Sequence, residues 1–526
     1  MADYKVRNPD QFQAACDHVT AGDAILVYGG IYDKRTTLTR KFGKPAMPIR
    51  IQAADEHWIS GDKSPDPSRL PGIPAFTDPA FLCIDDCEHV IIDGLKIKNW
   101  WPGIVHAKET RWLTVRGCDL RHASYAIAAK DKRTHTSHLL IEDNHWQQDD
   151  STGHDLWFKI DWKEAHGNEG SDGAFRYFNG GFFGAKAIRG QVILRRNRIT
   201  DAYNGIRMKS GDKPPAADQL CRVNADVHIF DNDFIRIRDN PIEPEIYAYN
   251  WHIRHNRLLD CHAWFSFDGV TGGLWYLYGN TGRFQSRQGD PNADQHTMGR
   301  VLKLSYELGQ SDPASERVPS DPWFVFNNSW NLRCPVIGGA NATVPSDGPG
   351  PDFSSRLAFF NNAFTWCQLT PVDPRVCEYV EMVRHFDKPR SQSVLFDYDI
   401  CDRADFMDFF QRPGWGEGHG VTSTRPVFAL PINARFALAV GSEALGSGWT
   451  TPETRLAGLS SPRLQADGTL NRGALQDYGL TQVPNLERQA SSLLLQIGAL
   501  PDHPVGGPIS APSQLDHGPV GGYDAG

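Results

Sequence analysis

The chain has 526 residues, 40% of them apolar and 22% charged, which leaves ample material for a core and excludes a mainly disordered or coiled-coil protein. Its 49 glycines and 35 prolines predict frequent turns and a β-rich body. A net charge of −9 argues against nucleic-acid or anionic-membrane partners.

In chain order, the first 16 residues carry no apolar run of signal-peptide type. A secreted or periplasmic location is expected only if a leader has been removed. No apolar stretch reaches the length of a membrane span, and none of the ten cysteines falls into a CxxC pair of metal spacing. Residues 8–19, NPDQFQAACDHV, have the N-cap and periodicity of a short helix, placed to cover the end of a β structure. Residues 21–53 follow, AGDAILVYGGIYDKRTTLTRKFGKPAMPIRIQA.

From residue 89 a short alternating run ending in Gly or Asn recurs, closing at Gly94, Gly117, Asn144, Asn197, Asn232, Asn256, Asn280, Asn328 and Asn362. The successive gaps are 23, 27, 53, 35, 24, 24, 48 and 34, a unit of 23 to 24 residues with insertions. Each unit holds two or three short strands and lacks a helical segment, which describes one rung of a parallel β-solenoid. A βαβ sheet, a propeller and a leucine-rich repeat are excluded. The asparagines are expected at left-handed corners, bonding amide to amide between rungs.

The repeat fades near 400. The chain is therefore divided into a β-helix domain over 1–400 with its N-terminal cap, and a C-terminal cap or extension over 401–526. A helix is expected near 402–411, and an extended Pro/Gly/His-rich tail from 501.

Registering the second strand of each rung gives GIVHAK (103–108), AIAAK (126–130), WFKID (157–161), GIRMK (205–209), PIEPE (241–245), WFSFD (264–268) and VLKLS (301–305). Ile206, Met208, Ile242, Phe265, Phe267, Leu302 and Leu304 are expected to point inward. One outward column then reads Val105, Ala128, Lys159, Arg207, Glu243, Ser266, Lys303. The other reads Ala107 or a neighbour, Lys130, Asp161, Lys209, Glu245, Asp268, Ser305. Rungs lie about 4.8 Å apart, so the charged members should share a face about 20 Å tall. Glu243 and Glu245 flank Pro244, a costly residue in a sheet, and two carboxylates so close repel unless a cation intervenes. The long gap between Asn144 and Asn197 brings aromatic residues, Trp157 among them, that suit stacking on sugar rings. Tyr247 and His262 lie near the acidic rung, and Trp157, Lys159, Asp161, Tyr247, His262 and Lys303 are the expected substrate-binding residues.

The opening "GD.I.l..G.Y … G….PI.I.A" resembles that of right-handed parallel β-helix proteins of the pectate-lyase-like superfamily, and of polysaccharide lyase family six in particular. The resemblance covers roughly residues 5 to 480. It implies a groove that cleaves a uronate polysaccharide by β-elimination, with calcium on a Glu-x-Glu rung and a Lys/Arg pair as base and acid. Glu243-Pro244-Glu245 matches the first element. The basic pair, Arg207 and Lys209, stands on the preceding rung, whereas the family places it after the acids.

The expected chemistry has three parts. Glu243, Glu245 and Asp268 hold calcium, which neutralises the substrate carboxylate. Arg207 or Lys209 acts as base with a lowered pKa, and an acid or water protonates the leaving oxygen. The alternative is a glycoside hydrolase using carboxylate pairs among Glu243, Glu245 and Asp268. A third reading is a non-catalytic glycan-binding β-helix.

Overall fold

In the computed structural model the described residues run from 1 to 448, apart from internal stretches of which the longest are 285–299, 304–322, 339–356 and 367–394. Among them, three sheets of 13, 10 and 13 strands run side by side, and all their strand pairings are parallel. Successive rungs contribute one strand to each sheet, which makes the molecule a right-handed parallel β-helix. No helix among the described residues is long and apolar enough to cross a membrane.

The helix Pro9–His18 forms as expected. Asn8 caps it by accepting a bond from the Gln11 amide at 2.9 Å, with proline at the first helical position. Its Phe12, Ala15 and Cys16 close the end of the solenoid core. At the other end strands continue to Val421–Thr422, and Ala404–Phe410 is helical.

The core follows from alternation. Ile127, Phe183, Ile206, Ile242, Phe265 and Leu302 stack in register along the ten-stranded sheet and are buried. Leu304 lies outside the described residues. The expected strand 157–161 is not a rung. The strand that pairs with Tyr125–Lys130 on one side and Asn204–Lys209 on the other is Gly181–Lys186. The insertion therefore precedes this rung strand, and shifting the register moves the site columns described below.

The asparagine ladder is continuous. The Asn144 side-chain amide donates to Asn197 Oδ1, Asn197 to Asn232, Asn232 to Asn256, Asn256 to Asn280, Asn280 to Asn328 and Asn328 to Asn362, all at 2.9–3.0 Å. The ladder ends on Asp399. Each amide also donates to a backbone carbonyl, as Asn256 does to Ile229 at 2.9 Å. Both donors of a buried amide are thus satisfied without water.

The asparagines themselves do not take the left-handed conformation. The residue before each does: Asp143, Arg196, Asp231, His255, Gly279, Asn327 and Asn361 have φ between 51° and 64°. Gly94 and Gly117 occupy that same bend position, with φ of 69° and 61°, so they are equivalents of Asp143 and not of Asn144. The ladder position in the Gly117 rung is Cys118, whose amide donates to Asn144 Oδ1 at 3.0 Å.

Candidate active site on the ten-stranded sheet

Three outward residues on neighbouring rungs build the site. Arg207 pairs in register with Glu243, and Lys209 with Glu245. Pro244 points inward between the two acids and is buried. The Arg207 guanidinium reaches both carboxylates through one nitrogen: Nε donates to Glu245 and stands 3.5 Å from Glu243 Oε2. Lys209 Nζ is 3.8 Å from Glu245. Glu243 is gripped on its other oxygen, where the Asn240 amide donates at 2.9 Å and the Ser266 hydroxyl at 3.4 Å.

These contacts set the protonation states. Burial pushes the Glu243 carboxyl up to about 7, opposed by Arg207 and assisted by Glu245 and Asp239. Arg207 was expected to be lowered. Although burial acts in that direction, Glu243, Glu245 and the Tyr125 hydroxyl hold it well above its ordinary value. Arg207 is therefore a fixed cation and not a base.

Two residues that the sequence reading passed over brace this cation. Tyr125 lies one rung beyond Gly184, and a Cβ on Gly184 would meet its ring at 2.2 Å. The bare glycine gives the ring room to lie across the column toward Arg207. Burial pushes the Tyr125 hydroxyl up to about 12, against the pull of Arg207. From the other side, Arg207 Nη1 donates to Asn179 Oδ1 at 3.4 Å. Asn179 is delivered by the insertion, which packs a small core of Trp101, Leu156, Ile160, Tyr177, Phe178 and Tyr203 against the solenoid. Fully buried Arg238 ties that core down, donating to the Ile160 carbonyl at 2.7 Å.

The first outward column reads His106, Ala128, Gly184, Arg207, Glu243, Ser266, Lys303. Val105, expected to point outward, is an inward core residue, and Gly184 occupies the place assigned to Lys159. The second column reads Asp85, Lys108, Lys130, Lys186, Lys209, Glu245. Lys186 stands where Asp161 was expected, and Lys108 where Ala107 or a neighbour was. Lys108 pairs with Asp85 at 3.2 Å and Lys186 with Asp212 at 2.8 Å. Lys130 makes no ion pair among the described residues.

Lys159, Asp161 and Asp268 lie outside the described residues, as does Ser305. Lys303 joins the site, one register step from Ser266, and its charge is felt by Glu243. Trp157 is 2% exposed and stands 5.9 Å from the Arg238 guanidinium, inside the insertion. It supports the wall and does not line the groove. Tyr247 is buried at the corner leading to the next sheet, its hydroxyl accepting from the Cys221 amide at 2.9 Å. His262 sits in the turn before Ala263–Ser266, its amide donating to Ile237 at 3.1 Å.

Calcium needs six to eight oxygens. Of the three carboxylates expected to hold it, Glu243 and Glu245 both face Arg207 and Asp268 lies outside the described residues, among which no three acidic, His or Cys side chains converge.

No family model and no curated protein matches the chain. Among solved structures it is similar to AlyGC, an alginate lyase of polysaccharide lyase family six (11% identical, TM-score 0.40), the match covering 76% of this chain and 51% of that one. It is similar also to pectate lyase Pel9A (12%, TM-score 0.37; 90% and 96% covered). A third likeness is to the family 28 exopolygalacturonase of Yersinia enterocolitica (9%, TM-score 0.35; 66% and 74%). The chain spans about half the length of AlyGC. Likenesses at this level carry no argument about chemistry, which rests on the residues above.

Proposed function

We propose that this chain is a polysaccharide-cleaving enzyme, and specifically a lyase acting on a uronate-containing polysaccharide along the ten-stranded sheet. The observation that carries this reading is the second outward column. Lys108, Lys130, Lys186 and Lys209 stack on consecutive rungs and lead directly to the Glu243–Glu245 rung. Like charges about 4.8 Å apart are unfavourable in a sheet unless something answers them. Three carboxylates, Asp85, Asp212 and Glu245, pair with these four lysines, and Asp212 is 73% exposed, a weak partner that a substrate carboxylate can displace. A chain bearing one carboxylate per sugar supplies the missing charge.

At the rung itself, Arg207, Lys209 and Lys303 neutralise the uronate carboxylate, which acidifies the adjacent C–H. Glu243 in its ionised form takes that proton, since its raised pKa makes it a competent base near neutrality. Water or Lys303 protonates the leaving oxygen.

One observation favours a second reading, a glycoside hydrolase. Glu243 and Glu245 share a strand but not an environment: burial raises the former, while Arg207 and Lys209 stand against the latter. A carboxyl raised by burial with a second carboxylate two residues away on the same strand is the kind of pair that hydrolysis uses. A screen of uronate and neutral glycans with product mass spectrometry separates the two. Elimination gives a conjugated product that absorbs in the near ultraviolet and is lighter by one water than its hydrolytic counterpart.

A further inference from the structure

Glu243 and Glu245 are two of the three carboxylates, with Asp268, on which the sequence places calcium, yet the cation between them belongs to the chain. We propose that the Arg207 guanidinium takes the position a divalent cation would hold between Glu243 and Glu245, so that this rung works with a built-in organic cation and binds no calcium. The inference deepens the lyase reading and rests on it for what the cation neutralises, but its test reads binding and not cleavage.

Four features argue for it. One guanidinium nitrogen approaches both carboxylates, donating to Glu245 and lying 3.5 Å from Glu243, so an ion entering between them must first expel it. Expulsion is opposed from a further side by Asn179, whose Oδ1 accepts from Nη1 at 3.4 Å. The remaining Glu243 oxygen is already engaged by Asn240 at 2.9 Å and Ser266 at 3.4 Å, which leaves it poorly placed to turn toward a metal. Lys209 Nζ, 3.8 Å from Glu245, puts a second positive charge where a divalent ion would arrive. Like charges at that range repel strongly once water is thinned out. A guanidinium also suits the place for a reason of shape. It is planar, permanently charged and able to serve two carboxylates at once without shedding a hydration shell, as calcium would have to.

The test uses the full chain, stripped with EDTA and then titrated with calcium chloride alone by calorimetry and by thermal melting. The wild type should take up no calcium at this rung. Its melting temperature should move with calcium no more than that of Glu243→Gln, and any cleavage it performs should be unchanged by chelator. Arg207→Ala removes the guanidinium and should gain calcium binding, seen as heat and as a calcium-dependent rise in melting temperature of at least about 2 °C. Adding Glu245→Gln to Arg207→Ala should abolish that gain. A wild type that binds one calcium, lost on Glu243→Gln, overturns the proposal, as does a folded Arg207→Ala that binds none. If Arg207→Ala folds only in the presence of calcium, the proposal is supported. The wild-type titration decides independently of whether any variant folds. An enzyme that proves to be a hydrolase, or inactive on every uronate, but binds no calcium until Arg207 is removed, overturns the lyase reading while upholding this one.

Discussion

At the scale of single residues, the site is a contest between burial and charge on Glu243. Burial raises its carboxyl to about 7 even though Arg207 pulls the other way. The direction of the pH profile follows. If Glu243 is the base of an elimination, its active form is the ionised one, and kcat/KM should rise with pH through about 7 and then level. If it is the acid of a hydrolysis, the active form is protonated and the rate should fall through the same range. A rate profile on a cleaved glycan between pH 5 and 9 reads this directly. Glu243→Gln removes the proton-transferring group and should cost about 10²–10⁴-fold in rate. A raised carboxyl favours the folded state at low pH and loses that advantage as pH rises from the ordinary Glu range through 7. Glu243→Gln should therefore be no less stable than wild type at pH 8, by thermal melting. Activity lost without stability lost is the mark of a functional group.

At the scale of elements, the rungs are held by repetition of small devices, and two of them give measurable consequences. Asn256 sits in mid-ladder, accepting from both the Asn232 amide groups at 3.0–3.1 Å and donating to Ile229 and Asn280. Asn256→Ala takes the acceptor from two buried N–H groups of Asn232 and a donor from the buried Ile229 carbonyl. It should destabilise the protein by about 2–5 kcal/mol in denaturant unfolding, without a specific effect on the site. Gly184→Ala acts differently. Its Cβ would lie 2.2 Å from the Tyr125 ring, so the ring must leave its place on the column beside Arg207. Cleavage should fall at least tenfold, while Ala128→Gly, one rung away on the same column, should leave it within about twofold. The same elements show what could be read from the chain alone. The repeat was legible because apolar alternation and a closing Asn or Gly recur at nearly fixed spacing, and the acidic rung was legible because Glu-Pro-Glu is unusual in a strand. Gly184, Lys186 and Lys108 were not. The insertion before Gly181–Lys186 offers WFKID as a rival strand, and alternation alone cannot choose between them. Nor could Asn and Gly be told apart in function, because a left-handed bend and a hydrogen-bond ladder occupy adjacent positions and either residue punctuates the sequence. Tyr125 and Asn179 carry no motif, and their roles exist only once the solenoid places them beside Arg207.

At the scale of the whole molecule, the solenoid turns sequence distance into height. Lys108 and Glu245 are separated by 137 positions in the chain but stand on one outward column, because Lys108, Lys130, Lys186, Lys209 and Glu245 follow one another from rung to rung. A charged track of this kind makes the whole face, and not one pocket, the recognition surface. Reversing Lys130 and Lys186 together to glutamate should raise KM for a polyuronate about tenfold or more, and raise it less in high salt, while leaving kcat for the shortest cleaved oligosaccharide nearly unchanged. A lyase built in this way eliminates at the Arg207–Glu243–Glu245 rung. The most direct measurement is mass and near-ultraviolet analysis of products from a panel of uronate polysaccharides, run in parallel with wild type and Glu243→Gln. The wild type should give an unsaturated, ultraviolet-absorbing product from at least one polyuronate, and Glu243→Gln should not. Saturated reducing ends alone, or an unsaturated product formed equally well by Glu243→Gln, would rule out elimination at this rung.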